Sequence, residues 1–421
     1  MTTPQIKQID QNTYEVVLRV SAKSTLLETE ESLHDKLNKA ACLALEQMIP
    51  RFDADGAPIR IGENRYTSKG RSEHNYETVH GTVRVKRHVY PSQHGGKTFC
   101  PLEDQCRMVL NATPRLAKVV AAKYADMGAT ALVKDMKESN RHAVSVRYAK
   151  ALGDFIGAVV EAKEAYWEYD LPALSVPVAS VSVGLDGTCM LMKGRGWRQA
   201  MCGSISLYDA AGERLFTLYA GAAPEYGKAK FHERFERELQ RVKERFPKAL
   251  YIGLADGAAD NWSWLAGRTD RQVVDFWHAR EYVGKAARAI HGSGTEEQAS
   301  WESEWSHRLK HERGVVTRLI SEMGRHVAGA KGLDGEDLSA AIRYFENHKS
   351  LMGYSRHVKE RWPIGSGVTE AACKTLVKAR MCQSGMRWKD EGASCVISLR
   401  AIRMGGERWE QFWEKIARYG F

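Results

Sequence analysis

The sequence lacks several signatures that would assign it at once. Its eight cysteines include no CxxC pair. Cys100 and Cys106 flank PLEDQ, a gap too long for a zinc knuckle, and two ligands cannot complete a tetrahedral site. Reduced, partly buried thiols are expected instead. No apolar run approaches the roughly 20 residues that cross a bilayer, so no membrane role is expected. The opening stretch, MTTPQIKQIDQNTYEVV, has no apolar segment of the secretory-signal kind. A cytoplasmic protein is the expectation. GxxxxGK[ST] is missing, which argues against a nucleotide cofactor, and so is HExxH. Internal repeats and low-complexity tracts are absent too.

Positive charge is present in excess. Lys and Arg number 62 against 52 Asp and Glu, a formal charge of +10. That favours a polyanionic partner. The length, 421 residues, leaves room for two or three domains.

Periodicity divides the chain. Residues 24–49 read as a helix capped by Ser24 or Thr25. Residues 76–98 alternate β-branched and aromatic side chains with Gly and Pro at the breaks, which predicts a small antiparallel unit. Helix returns over 114–158. Thr113 can cap PRLAKVVAAKYADMG, Pro114 suits its first turn, and Gly128 can end it. Short helices with tight breaks suit a helix-turn-helix. Eight Lys or Arg face three acids between 114 and 150. Arg147 and Lys150 are the candidate DNA contacts there; a plain bundle with a basic face is the alternative.

From about 176 the pattern becomes αβ. Strands are expected at VASVSVGLDG, 199–208, 214–222, 248–256 and 271–278. A charged amphipathic helix, 228–246, and a short helix, ADNWSWLAG, interrupt them. Three strands, helix, strand, helix, strand is the order of a ribonuclease H-like fold. The expected architecture is thus α/β: a ribonuclease H-like catalytic core over 171–421 with a helical insertion at about 279–360. It is preceded by an α+β region, 1–113, and a helix-turn-helix-like segment, 114–170.

Three acids stand out in that order. Asp186 and Asp256 each end an apolar strand and precede Gly187 and Gly257. Glu370 opens a helix in WPIGSGVTEAACKTLVKARM. Carboxylates at strand ends face the crevice where αβ sheets bind ligands. Glycine after each aspartate would let the backbone turn sharply. Hard carboxylate oxygens suit Mg²⁺, and two such ions can clamp the attacking and leaving oxygens of a phosphodiester. Mn²⁺ is expected to substitute. Asp260 competes with Asp256, though it can equally cap the short helix.

On these residues the chain resembles the DDE class of bacterial insertion-sequence transposases. It is most similar to the ISKra-type family, which is itself similar to Mutator-like transposases. The resemblance spans roughly 60–420. It rests on LDG (185–187), ADGAADNW (255–262) and, most specifically, GSGVTEAACKTLVKARMCQSGMRW (365–388). DFWH (275–278) resembles the Cys-or-Asp-x-x-His motif of Mutator-like enzymes, which implies that Asp275 and His278 lie near the site. The family implies two Mg²⁺ ions and strand cleavage and transfer on double-stranded DNA, at terminal inverted repeats and in the target. A synaptic complex must hold two ends, so a homodimer or larger assembly on DNA is expected.

Around Glu370, Lys374 and Lys378 follow at helical spacing. Lys374 can hold a phosphate or pair with Glu370. Arg380, Arg387 and Trp388 extend a basic, aromatic stretch suited to a DNA backbone and an unstacked base. A Trp in a helical region is more often core. GSG (365–367) reads as a flexible entry to the glutamate helix. Two other functions remain open: an inactive DNA-binding relative, and a structure-specific nuclease that never joins ends.

Overall fold

The structure is a computed structural model and describes residues 4–62, 64–91, 98–225, 227–256, 259–329 and 332–421. The chain forms two compact units, residues 1–169 with 394–421, and residues 170–393.

The first unit begins with an antiparallel pair, β1 (Gln5–Gln8) and β2 (Tyr14–Val17). Helix α1 (Leu26–Met48) follows, with the Thr25 hydroxyl accepting from the Glu28 N–H. Two more hairpins are β3 (Ile59–Ile61) with β4 (Asn64–Tyr66), and β5 (Arg71–Glu77) with β6 (Thr82–His88). The last overlaps the antiparallel unit expected over 76–98 but begins five residues earlier; residues 92–97 of that stretch lie outside the described residues. Alternation along β6 buries Val83 and Val85 against Tyr76 and Leu102 of the short α2 (Pro101–Gln105). Cys100 and Cys106 join this small core, where burial pushes both thiols up, Cys106 to about 11.

Three helices then pack together: α3 (Pro114–Asp126), α4 (Ala129–Asn140) and α5 (Val146–Lys163). Pro114 starts α3 as expected, but Thr113 makes no side-chain cap. Gly128 precedes α4 rather than ending α3, because the chain leaves the first helix through extended Met127.

The second unit holds a mixed five-stranded sheet. Its strands are β7 (Ser180–Met192), β8 (Gly196–Tyr208), β9 (Arg214–Ala222), β10 (Leu250–Ala255) and β11 (Arg271–Val274). Their order is β11-β10-β7-β8-β9. The first three in sequence are antiparallel neighbours, whereas β10 runs parallel to both β7 and β11. Between β9 and β10 lies α6 (Ala229–Arg245). Phe231, Phe235, Leu239 and Val242 recur on one face and are buried against the sheet. The short α7 (Ala259–Ala266) joins β10 to β11.

The fifth strand is shorter than 271–278. It stops at Val274 because the Asp275 carboxylate accepts the Trp277 and His278 N–H groups and so caps a helix, α8 (Phe276–His291). The helical stretch continues through α9 (Glu296–His311), α10 (Val315–His326), α11 (Gly332–His348) and α12 (Tyr354–Lys359). These helices share a core with β10 and β11. Next, α13 (Gly367–Ala372) runs through a π-helical turn, Cys373–Lys378, into α14 (Ala379–Met381).

The chain passes back to the first unit within α15 (Asp390–Met404). There Arg400 donates to the Ala125 carbonyl at 2.5 Å. The last helix, α16 (Arg408–Tyr419), buries Trp409, Phe412, Trp413 and Ile416 along one face. Among the described residues no helix is long and apolar enough to cross a membrane.

Candidate acidic site at the end of the sheet

Strand register brings the acids together. Leu254 of β10 pairs with Gly184 of β7, so two residues further on Asp256 comes level with Asp186. Adjacent strands lie about 4.8 Å apart. Ala255 pairs with Val274, and Asp275 donates its N–H to the Ala255 carbonyl at 2.9 Å, so Asp275 stands next in the row. Three aspartates thus sit side by side just past the last parallel pairs of β7, β10 and β11. The electrostatics agree. Burial first, and then the Asp256 carboxylate, push Asp186 above its ordinary value. The Gly187 N–H, the Cys373 thiol and Lys378 act the other way.

The three aspartates are not equivalent. Asp186 is half-buried; one oxygen accepts from the Gly187 N–H at 2.6 Å and the other from Cys373 Sγ at 3.4 Å. Asp256 is exposed. Asp275 is fully buried, and its oxygens take four protein donors: the N–H groups of Trp277 and His278, and the Ser366 N–H at 2.6 Å and hydroxyl. A carboxylate with that many donors has its acceptor sites filled within the protein. It is a structural clamp between the end of β11 and the start of α13.

That clamp reaches the glutamate. The Ser366 hydroxyl lies 3.2 Å from Glu370 Oε1, one turn into the helix. Glu370 itself is exposed. The helix lies close on the sheet because β7 has no side chain at Gly184: a Cβ there would come 2.0 Å from Thr369 Oγ1. Thr369 in turn shares a hydrogen bond of 2.6 Å with Ser204 of β8. A π-helical turn follows directly, which shifts the register of everything after Ala372. Lys378 emerges from that turn within the field of Asp186. Lys374 is exposed.

Several readings need correction. Gly187 makes no turn. It lies inside β7, which runs on to Met192, so Asp186 sits at the edge of the β7–β10 pairing rather than at a strand end. The turn expected at Gly257 lies outside the described residues. Ser366 of GSG is buried and fixed by Asp275, not a flexible entry. His278 is in a helix; its ring meets Tyr282 and Tyr344 edge-on, and its Nδ1 is 3.3 Å from Glu281. Arg380 is 2% exposed, with its guanidinium over the Trp388 ring, so it is not a surface cation. Trp388 is half-buried, and its indole N–H donates to the Met381 carbonyl at 2.9 Å. A ring covered and tied in that way is part of the packing. Arg387 is exposed. Asp260 is exposed beside Lys228 in the first turn of α7, apart from the strand register.

Sequence reasoning did not find Ser366, Thr369 or Cys373. The last is buried, and its thiol is held protonated by a hydrogen bond with Cys202, by burial and by Asp186. Cys202 is the cross-strand partner of Asp186, a pairing no linear spacing reveals.

Among the described residues, no three acidic, histidine or cysteine side chains are gathered as a metal cluster. The donor set nevertheless suits a hard cation. Asp186 and Asp256 press two carboxylates into one another's field, and such a pair is relieved when a divalent ion joins it. No family model and no curated protein matches the chain.

Proposed function

We propose that the chain is a DDE-type DNA transposase that cleaves and transfers DNA strands at the ends of a mobile element. One observation carries this reading: Asp186 and Asp256 are level on neighbouring parallel strands, with the Glu370 helix laid against the same strand. The sheet order and directions support reading it as a ribonuclease H-like core, with α8–α12 as the helical insertion before the glutamate. Terminal inverted repeats and target DNA are the proposed substrates, and a dimer or larger assembly the proposed state on DNA.

In this reading Asp186, Asp256 and Glu370 hold Mg²⁺. When bound, two ions would supply charge stabilisation for the attacking and leaving oxygens of the phosphodiester. The protein's own part is orientation. Cys373 and the Gly187 N–H fix the Asp186 carboxylate, and Asp275 fixes Ser366 and through it Glu370. Lys378 adds positive charge beside Asp186, where a phosphate would arrive. Hydrolysis of the first bond frees a 3′-hydroxyl. That hydroxyl then attacks a target phosphodiester and displaces a new 3′-hydroxyl, so bonds balance without an energy cofactor.

The test is cleavage of DNA carrying the element's own ends, in Mg²⁺, by wild type and Glu370→Gln. Cutting that vanishes in the variant while DNA binding persists supports the reading. Equal cutting removes Glu370 from the site. Binding without cutting by the wild type favours an inactive DNA-binding relative, and cutting without joining favours a nuclease.

A further inference from the structure

The first hairpin of the sheet is longer than the sheet needs. Pairing of β7 with β10 ends at Gly184, and pairing of β8 with β9 ends at Met201. Yet β7 and β8 stay paired to Met192 and Gly196. A two-stranded ribbon therefore continues past Asp186 for six residues, about 20 Å at 3.3 Å each. It projects from the same end of the sheet that carries the acids.

A free ribbon of that kind is marginally stable. This one is braced. Thr188, Met190, Met192 and Ala200 are buried on its underside. Residue 388 adds a third edge: the Trp388 N–H donates to the Leu191 carbonyl at 3.0 Å, and the Lys193 N–H to the Trp388 carbonyl at 2.7 Å. Arg195 in the turn is held by both oxygens of Asp390, at 2.8 and 2.9 Å.

The exposed tip is unusual in composition, with Arg198 at the rim of the underside, across from Met190, and Trp197 on the opposite face, across from Leu191. Residues 193–199, KGRGWRQ, are all exposed, and Trp197 is 60% exposed. No acid occurs in 187–201 or in 382–389, which together carry Lys193, Arg195, Arg198, Arg387 and Lys389. Lys193, Arg387 and Lys389 enter no ion pair among the described residues. An acid-free, braced ribbon with cations at its tip and a bare indole suits a phosphate backbone. Two-stranded ribbons also have the width of a duplex groove.

We propose that the ribbon Gly187–Met201 is a duplex-DNA contact that holds the backbone flanking the acidic site, with Lys193 and Arg198 on phosphates and Trp197 against the sugar edge. The proposal rests on the reading of the acidic site as a DNA-cutting centre, but its own test does not need cutting.

The probe is a 30-base-pair duplex of random sequence, followed by fluorescence anisotropy from low to moderate NaCl without divalent ions. Each phosphate contact contributes about 0.9 to the slope of log affinity against log salt. Lys193→Ala/Arg198→Ala should lower that slope by about 2. The charge-matched control Arg245→Ala/Lys248→Ala, on the exposed end of α6 and its turn, should leave it unchanged. As a second readout, exposed Cys189 on the ribbon should crosslink to a duplex bearing a backbone thiol tether, and Cys189→Ser should abolish the product. Equal slopes for the ribbon variant and the control would overturn the proposal while leaving the cleavage reading intact. So would a ribbon effect confined to single strands. A lowered slope with no cutting of element ends would sustain the ribbon and remove the transposase reading.

Discussion

Two regions treat charge in opposite ways. In the three-helix region of the first unit, four cations that look free in the sequence are paired. Lys118 bonds Glu410, Lys123 bonds Asp135, Lys150 bonds Asp154, and Arg141 bonds both Asp35 and Glu31. At the end of the sheet, like charges stand together. Asp186 and Asp256 lie level on neighbouring strands, and the buried Asp275 beside them takes four protein donors. Paired surface charges hold helices together weakly. Crowded carboxylates cost stability, and chains keep such arrangements where they do chemistry. The difference separates the chain's charged residues better than counting them does.

The strongest test of that contrast is activity. Under the proposed function, Asp186→Asn and Asp256→Asn should each lower cleavage of element ends by about 10³-fold, since losing a carboxylate proposed to hold metal would remove several kcal/mol of charge stabilisation. Lys123→Ala should leave cleavage within twofold. If Asp260→Asn were inactive and Asp256→Asn active, the assignment of the second acid would be wrong.

Stability comes next, and here the buried acid should stand apart. Asp275→Ala strands four donors and a helix cap and should cost about 3 kcal/mol in urea unfolding. A loss below 1 kcal/mol would mean that the clamp is dispensable. The close approach of the glutamate helix gives a third test. Gly184→Ala forces Thr369 away from β7 and should reduce cleavage by about tenfold to a hundredfold, with DNA affinity kept.

The smallest effects sharpen the comparison by sign. Asp35 is held below its ordinary 3.8 by the hydrogen bond from Arg141, and Asp186 above it by burial. The ionised form of Asp35 is therefore favoured by folding, and its contribution is lost as pH falls below 3.8. Ionised Asp186 is disfavoured, so its penalty grows as pH rises above 3.8 and is absent below. Asp186→Asn should raise the melting temperature at pH 7, and the gain should vanish near pH 3. Asp35→Asn should lower it slightly at pH 7. Matching signs would break the contrast. Arg147, exposed and without an ion pair among the described residues, is the remaining candidate phosphate contact on the helices. Arg147→Ala should reduce the salt slope of DNA binding by about 1, and Lys123→Ala should not.

Much of the site was legible one residue at a time. Asp186, Asp256 and Glu370 could be picked out because each stands at the edge of a periodic segment. The strand order followed from runs such as KALYIGLAD, whose β10 is buried along almost all its length. The amphipathic helix with Phe231 and Phe235 was equally plain. Other residues misled because their surroundings were invisible. Arg380 read as a surface cation, but it is buried with its guanidinium over the Trp388 ring. Gly187 read as a turn, but a strand can pass straight through glycine. Asp275 read as one more residue of a strand, although its carboxylate was a helix cap. The ribbon past Asp186 was missed because TCMLMKGRGWRQ mixes Gly and charge and matches neither period well.

What the sequence determined alone was the local grammar: which segments are largely helix or strand, and which acids lie along them. Side-chain periodicity carries that information, because burying one face selects the spacing. Only the tertiary structure decided which acids are neighbours. Register between β7 and β10 is a contact between residues about seventy apart, and no local pattern encodes it. Burial made the second decision. It separated Asp275, with all its donors, from Asp186 and Asp256, because the field at a carboxylate depends on what packs around it.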